Sequence, residues 1–92
     1  MAILDDFQQW LKSHGYKEYS DAGNKSTIFD YGARIKRVCG EENCSVEDLA
    51  KNIDVMIAKY DSKGEKEKVG KISHNSVIEA LKRFKEFLND QK

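Results

Sequence analysis

The sequence predicts an all-α fold, a compact bundle of four or five helices. Apolar residues recur at intervals of three and four in four separate stretches, the signature of helices with one buried face. No stretch alternates apolar and polar residues between turn signals, as a strand would. The chain contains no proline, and glycine or asparagine breaks separate the four stretches. At 92 residues, with 39% hydrophobic and 35% charged, the composition is that of one globular domain spanning residues 1–92.

The first helix is expected from about Ile3 to Ser13, with Ile3, Leu4, Phe7, Trp10 and Leu11 on one stripe. Asp5 and Asp6 suit the positive end of the helix dipole, Lys12 and His14 the negative end, and Gly15 fits the C′ position. His14 is therefore a helix-end residue rather than a ligand or base. The connection to Lys25 is turn-rich, broken at Gly23-Asn24, and its Tyr16 and Tyr19 are expected to cover core edges.

The second helix is expected to start at Ser26 or Thr27, either of which can cap. Ile28, Tyr31, Ile35, Val38 and Cys39 form its inner stripe, widened by Phe29 and Ala33, and Gly40 is expected to end it. Gly32 costs about 1 kcal/mol relative to alanine inside a helix, and close approach of another helix is a reason to place it there.

The third stretch opens at Ser45, with Asp48 three residues on in an imperfect capping box. Its stripe is Val46, Leu49, Ile53, Met56, Ile57 and Tyr60, as one bent helix or two short ones broken near Asn52. Asp61 to Ile72 is polar, contains Gly64 and Gly70, and is expected to be a mobile loop. The fourth helix, Ser73 to Asn89, carries Val77, Ala80, Leu81, Phe84, Phe87 and Leu88 on one face. Its other face holds Glu79, Lys82, Arg83, Lys85 and Glu86. Two phenylalanines and two leucines on one stripe demand a partner surface from everything upstream.

The formal net charge is zero, which argues against a generic polyanion binder. The charges are nevertheless segregated along the chain. Residues 25–37 carry four bases and one acid, 41–54 five acids and one base, and 63–85 seven bases and three acids. Two basic zones thus flank an acidic one. No apolar run approaches the ~18 residues that span a bilayer, and acids stand where a signal peptide has bases. The expectation is a cytoplasmic protein.

The chemistry of catalysis is missing. Ser73 and His74 are adjacent and diverge by about 100° on a helix, so they cannot act as nucleophile and base for each other. No glycine-rich phosphate loop matches a nucleotide-binding pattern. The Cys39-Gly-Glu-Glu-Asn-Cys44 spacing reads as two small apolar residues in a helix connection rather than a zinc site or a bridge. We expect no enzyme activity, no metal and no cofactor.

What remains is surface. Helix starts present unpaired N–H groups and positive partial charge, which suits phosphate. Two starts combine a lysine with short polar side chains: Lys25-Ser26-Thr27 and Lys71-Ile72-Ser73-His74-Asn75-Ser76. Such groups commonly contact phosphates and base edges of duplex DNA. Plain N-capping is the competing reading of the same residues.

The order of signals resembles the core-binding domain of tyrosine recombinases, the SAM-like N-terminal domain of phage integrases. The matching residues are Phe7, Trp10 and Leu11, then Ser26, Thr27, Ile28, Tyr31, Arg34 and Ile35. They continue with Val46-Glu47-Asp48-Leu49, then Ser73, Ser76, Val77, Ala80, Leu81, Phe84, Phe87 and Leu88. The resemblance covers nearly the whole chain and rests on hydrophobic spacing and caps. It implies an orthogonal SAM-like bundle that does not cut DNA. Such a module packs on one side of the duplex while a separate C-terminal catalytic domain closes the other side. It implies that this chain is the N-terminal module of a larger integrase. It also implies that the second and fourth helices face DNA: Lys25, Ser26, Thr27 and Arg34 on one, Lys71, His74, Asn75, Ser76 and Lys82 on the other.

The leading expectation is a DNA-binding module. Lys25, Arg34, Lys71 and Lys82 would meet phosphates, and His74, Asn75 and Thr27 would lie nearer the bases. It requires the lysine-bearing ends of the second and fourth helices to point the same way. The alternative is a helical protein–protein interaction module in which the acidic 41–54 zone meets a basic partner.

Overall fold

The computed structural model describes residues 3–16, 23 and 27–91, with the backbone alone at 72–74. Among the described residues six helical segments follow one another: α1 (Ile3–Ser13), α2 (Thr27–Glu42), α3 (Val46–Lys51), α4 (Ile53–Tyr60), α5 (Glu67–Gly70) and α6 (Ile72–Asp90). Among the described residues there is no strand. The architecture is all-α, as the periodicity requires.

One continuous core lies along α6. Its Val77, Ile78, Ala80, Leu81, Phe84 and Phe87 are buried against Leu4, Phe7 and Leu11 of α1 and Ile28, Ile35 and Val38 of α2. Leu49 of α3, with Ile53 and Tyr60 of α4, completes it. Part of this core is an aromatic cluster between α1 and α6. The Phe7 ring meets Phe84 edge-on at 5.1 Å and Phe87 at 5.6 Å, and Trp10 covers Phe87 at 6.1 Å. Edge-to-face packing of this kind adds to simple area burial. The Trp10 indole N–H donates to Asp90 Oδ2 at 2.8 Å, pinning the end of α6 to α1.

α1 ends as its sequence foretells. Gly15 takes φ +91°, Tyr16 N–H reaches Leu11 O at 3.1 Å and Gly15 N–H reaches Lys12 O at 3.2 Å, which is a Schellman motif. His14 folds back onto Trp10 O and the Trp10 ring, confirming its helix-end role. Tyr16 covers Tyr31 at 5.9 Å, a core edge; Tyr19 lies outside the described residues.

α2 corrects an expectation. It runs through Gly40 and ends at Glu42. The left-handed residue is Asn43 (φ +52°), again in a Schellman motif, with Cys44 N–H to Cys39 O at 3.0 Å and Asn43 N–H to Gly40 O at 3.3 Å. Asparagine tolerates this conformation nearly as well as glycine does. The stripe also narrows, since Ala33 is exposed and Phe29 half-buried. Gly32 is buried against α1, where a Cβ would meet the Gln8 amide nitrogen at 2.5 Å.

The third stretch divides into α3 and α4. Ser45 Oγ accepts from Asp48 N–H at 3.1 Å, as the capping pattern predicts. Asn52 closes α3 and opens α4.

The 61–72 segment is the second correction, because it is built rather than loose. The chain doubles back on α4 through Lys66 N–H to Lys59 O at 2.8 Å, then forms the single turn α5. Gly70 is buried so tightly that a Cβ would meet the Tyr60 carbonyl oxygen. Glycine is required there by backbone approach, not by turn geometry.

Candidate nucleic-acid interface

Arg34, Lys71, Asn75, Ser76 and Lys82 gather around the first half of α6. Arg34, half-buried on α2, donates from Nε to Ser76 Oγ at 2.9 Å. This bond joins two residues 42 positions apart that the sequence could only propose separately. Asn75, next to Ser76, is exposed and holds φ +69°, so the first turn of α6 is irregular at an asparagine able to adopt the left-handed region.

Lys71, Asn75 and Lys82 line one surface pocket of about 260 Å³, with Tyr60, Asp61, Ser62, Ile78 and Glu79. Both lysines hold acids: Lys71 Nζ lies 3.4 Å from Glu67, and Lys82 Nζ 3.6 Å from Asp61. Glu67 is further fixed by the Lys63 backbone N–H at 2.8 Å, which with Lys71 lowers its carboxyl below the ordinary value. The lysine pairs are half-exposed, and such pairs contribute between nothing and about 1 kcal/mol. A phosphate oxygen could replace either acid at small cost.

Lys25 and Ser26 lie outside the described residues, as does the His74 side chain. Thr27 is half-buried at the first position of α2 and is not brought to this cluster. α2 and α6 run in opposite directions where they pack. Arg34 meets Ser76, whereas Tyr31, one turn earlier, lies in the field of Glu79, Arg83 and Glu86. Ile28 accepts from Gln8 of α1, the helix that packs on Phe84 and Phe87. At the other end, Glu41 reaches Lys66, just before α5. The N-terminal ends of α2 and α6 therefore lie at opposite ends of their contact. This corrects the expectation that the two helix starts form one surface.

The charge segregation of the sequence also changes character in three dimensions. Acids of the 41–54 zone are met by bases from later in the chain. Lys59 holds Glu42 at 2.7 Å, Lys66 holds Glu41 at 3.5 Å, and Lys85 holds Asp54 at 2.7 Å. Glu42 also accepts from the Tyr60 hydroxyl at 2.8 Å. The hydrogen bond from Lys59, aided by Tyr60, lowers the Glu42 carboxyl. Burial and the same carboxylate push the Tyr60 phenol well above its usual value.

Sequence reasoning did not place the acids Asp61, Glu67 and Glu79 in this neighbourhood. It also gave no role to Arg37, exposed one turn beyond Arg34. The i, i+3 spacing could have found Arg37; nothing local marks Asp61 as a partner of Lys82. Among the described residues no three His, Cys, Asp or Glu side chains are grouped to hold a metal, and no helix is long and apolar enough to cross a membrane.

Comparison with protein-family models, curated proteins and solved structures finds no match to this chain.

Proposed function

We propose that this chain is a non-catalytic module that binds duplex DNA through the first turns of α6 and Arg34, a narrower surface than the two joined helix starts that its resemblance to recombinase core-binding domains implies. A C-terminal catalytic domain would complete the clamp in the full-length protein. The observation that carries the reading is the Arg34–Ser76 hydrogen bond, which seats a guanidinium from α2 on the first turns of α6. Asn75 is the chain neighbour of Ser76, and it lines a surface pocket with Lys71 and Lys82. The first turn of α6 contains no acid, so its positive dipole end is not neutralised from within. Arg34, Lys71 and Lys82 would meet phosphates, with Asn75 and Ser76 closest to base edges.

Titration of the chain onto duplex DNA at several salt concentrations tests this. Three phosphate contacts give a log–log slope of about −2.7. Absence of binding at low salt by the folded chain removes the reading for the isolated module.

A second reading, a protein-interaction module, is favoured by Val55 of α4, a large apolar side chain left 65% exposed. Sedimentation separates the two: association that DNA does not change and that Val55→Asp abolishes supports the second.

A further inference from the structure

The end of α2 carries chemistry that DNA binding does not use. Cys39 and Cys44 are the only two cysteines in the chain, both are free thiols, and both are half-buried. In the Schellman motif that ends α2 they occupy the C3 and C″ positions, whose side chains this motif brings into contact. The Cys44 N–H to Cys39 O bond of 3.0 Å closes the six-residue loop, and Asn43 supplies its left-handed turn. The charge and hydrogen bonding of Cys44 are felt at the Cys39 thiol, in keeping with that placement. The backbone motif thus holds the two cysteines at facing positions before any bond forms.

We propose that Cys39 and Cys44 are a dithiol modification site, converted reversibly to an intramolecular disulfide by a low-molecular-weight disulfide such as oxidised glutathione. The Cys44 thiolate attacks one sulfur of the oxidant and releases one glutathione thiolate, leaving a mixed disulfide on Cys44. The Cys39 thiolate then attacks the Cys44 sulfur and expels the second glutathione. Two protein thiols are oxidised, one glutathione disulfide is reduced to two thiols, and the two protons pass to the departing glutathiones.

The order of attack follows from the environment. Burial, with the charge and hydrogen bond of Cys44, pushes the Cys39 thiol up to about 11, so it is the poorer first nucleophile. The staple closes on the turn that carries Glu42, so oxidation fixes the point where α2 is anchored to Lys59 and Tyr60 of α4.

The test incubates the whole chain in glutathione buffers of increasing oxidised fraction, quenches with an alkylating agent and measures intact mass. The expected product is a monomer that has lost both alkylatable thiols, carries no glutathione, maps to a Cys39–Cys44 link and reverts with excess reduced glutathione. In Cys39→Ser the glutathione adduct on Cys44 should persist. If that variant fails to fold, Cys44→Ser provides the mirror trap on Cys39. A lasting glutathione adduct on the natural chain would overturn the proposal. So would disulfide-linked dimers, or two thiols that stay alkylatable throughout.

Discussion

The two halves of α6 are held by different physics. Its C-terminal half is an apolar wedge, with Phe84 and Phe87 buried in the core and each ring within contact of Phe7 of α1. Its N-terminal half is bordered by polar pairs: Arg34–Ser76, Lys71–Glu67 and Lys82–Asp61. Burial of apolar surface is strong and indifferent to partner, whereas half-exposed ion pairs contribute little and can be exchanged. The buried stripe, Val77, Ile78, Ala80 and Leu81 as well as Phe84 and Phe87, therefore fixes the fold, and the polar rim of the first half is left able to trade its intramolecular partners for an external one.

Phe84→Ala breaks the comparison hardest. The residue is fully buried and touches two other aromatic rings, so a cavity opens inside the aromatic cluster. A loss of about 3–5 kcal/mol is expected in denaturant unfolding. A loss below about 1 kcal/mol would mean that the aromatic half is not the anchor.

Gly70→Ala comes next, with a loss of about 3 kcal/mol, because the new Cβ meets the backbone of Tyr60 and α5 must move off α4. Gly32→Ala is the control. Its Cβ meets only the flexible end of Gln8, and the gain in helix propensity offsets the lost Gln8–Ile28 bond. A change within about 1 kcal/mol is expected there. Equal effects at the two glycines would show that neither marks a specific close approach.

Tyr60→Phe removes the hydroxyl bonded to the Glu42 carboxylate and should lower stability by about 2 kcal/mol, as a bond to a charged group does. The same pair sets two pH limits. Glu42 titrates below its ordinary value in the folded chain, so its contribution is present above about pH 4.3 and is lost as pH falls through the folded value. Tyr60 titrates above its ordinary value, so stability falls as pH rises beyond about 10, where the unfolded chain gives up its proton first. Tyr60→Phe should remove its share of the alkaline loss, and Glu42→Gln should flatten the acid limb; unfolding curves across pH measure both.

How much of this was legible follows from the same contrast. Phe7, Trp10, Phe84 and Phe87 announce themselves by spacing, because a helix repeats locally and its buried face must repeat with it. Gly15 was legible as a C′ residue, but Gly40 was a decoy, and Asn43 performs the same task three positions later. Nothing in a local window distinguishes a glycine inside the last turn from one that ends it. Gly70 could be read as a glycine of a loop, but its reason, the backbone of Tyr60, belongs to another element. The candidate site divides likewise. Lys71, Asn75 and Ser76 were visible as a helix start, whereas the partnership of Arg34 with Ser76 and the neutralising Asp61 and Glu67 exist only once the chain is folded. The direction of α2 against α6 is a property of packing, which no charge count along the sequence contains.

The smallest expected effect on stability is the sharpest on function. Lys82→Ala breaks a half-exposed pair with Asp61 and should change unfolding free energy by less than about 1 kcal/mol. If the DNA reading holds, the same substitution removes one phosphate contact and reduces the magnitude of the salt slope by about 0.9, with affinity lowered equally across DNA sequences. Arg34→Ala should do the same while also releasing Ser76, so its loss of affinity is expected to be the larger of the two. A Lys85→Ala control removes a base from the opposite half of α6, where it holds Asp54, and should leave the slope unchanged. Equal slopes for all three variants would place any DNA contact away from the first half of α6, and the polar half would then be a stabilising rim and nothing more.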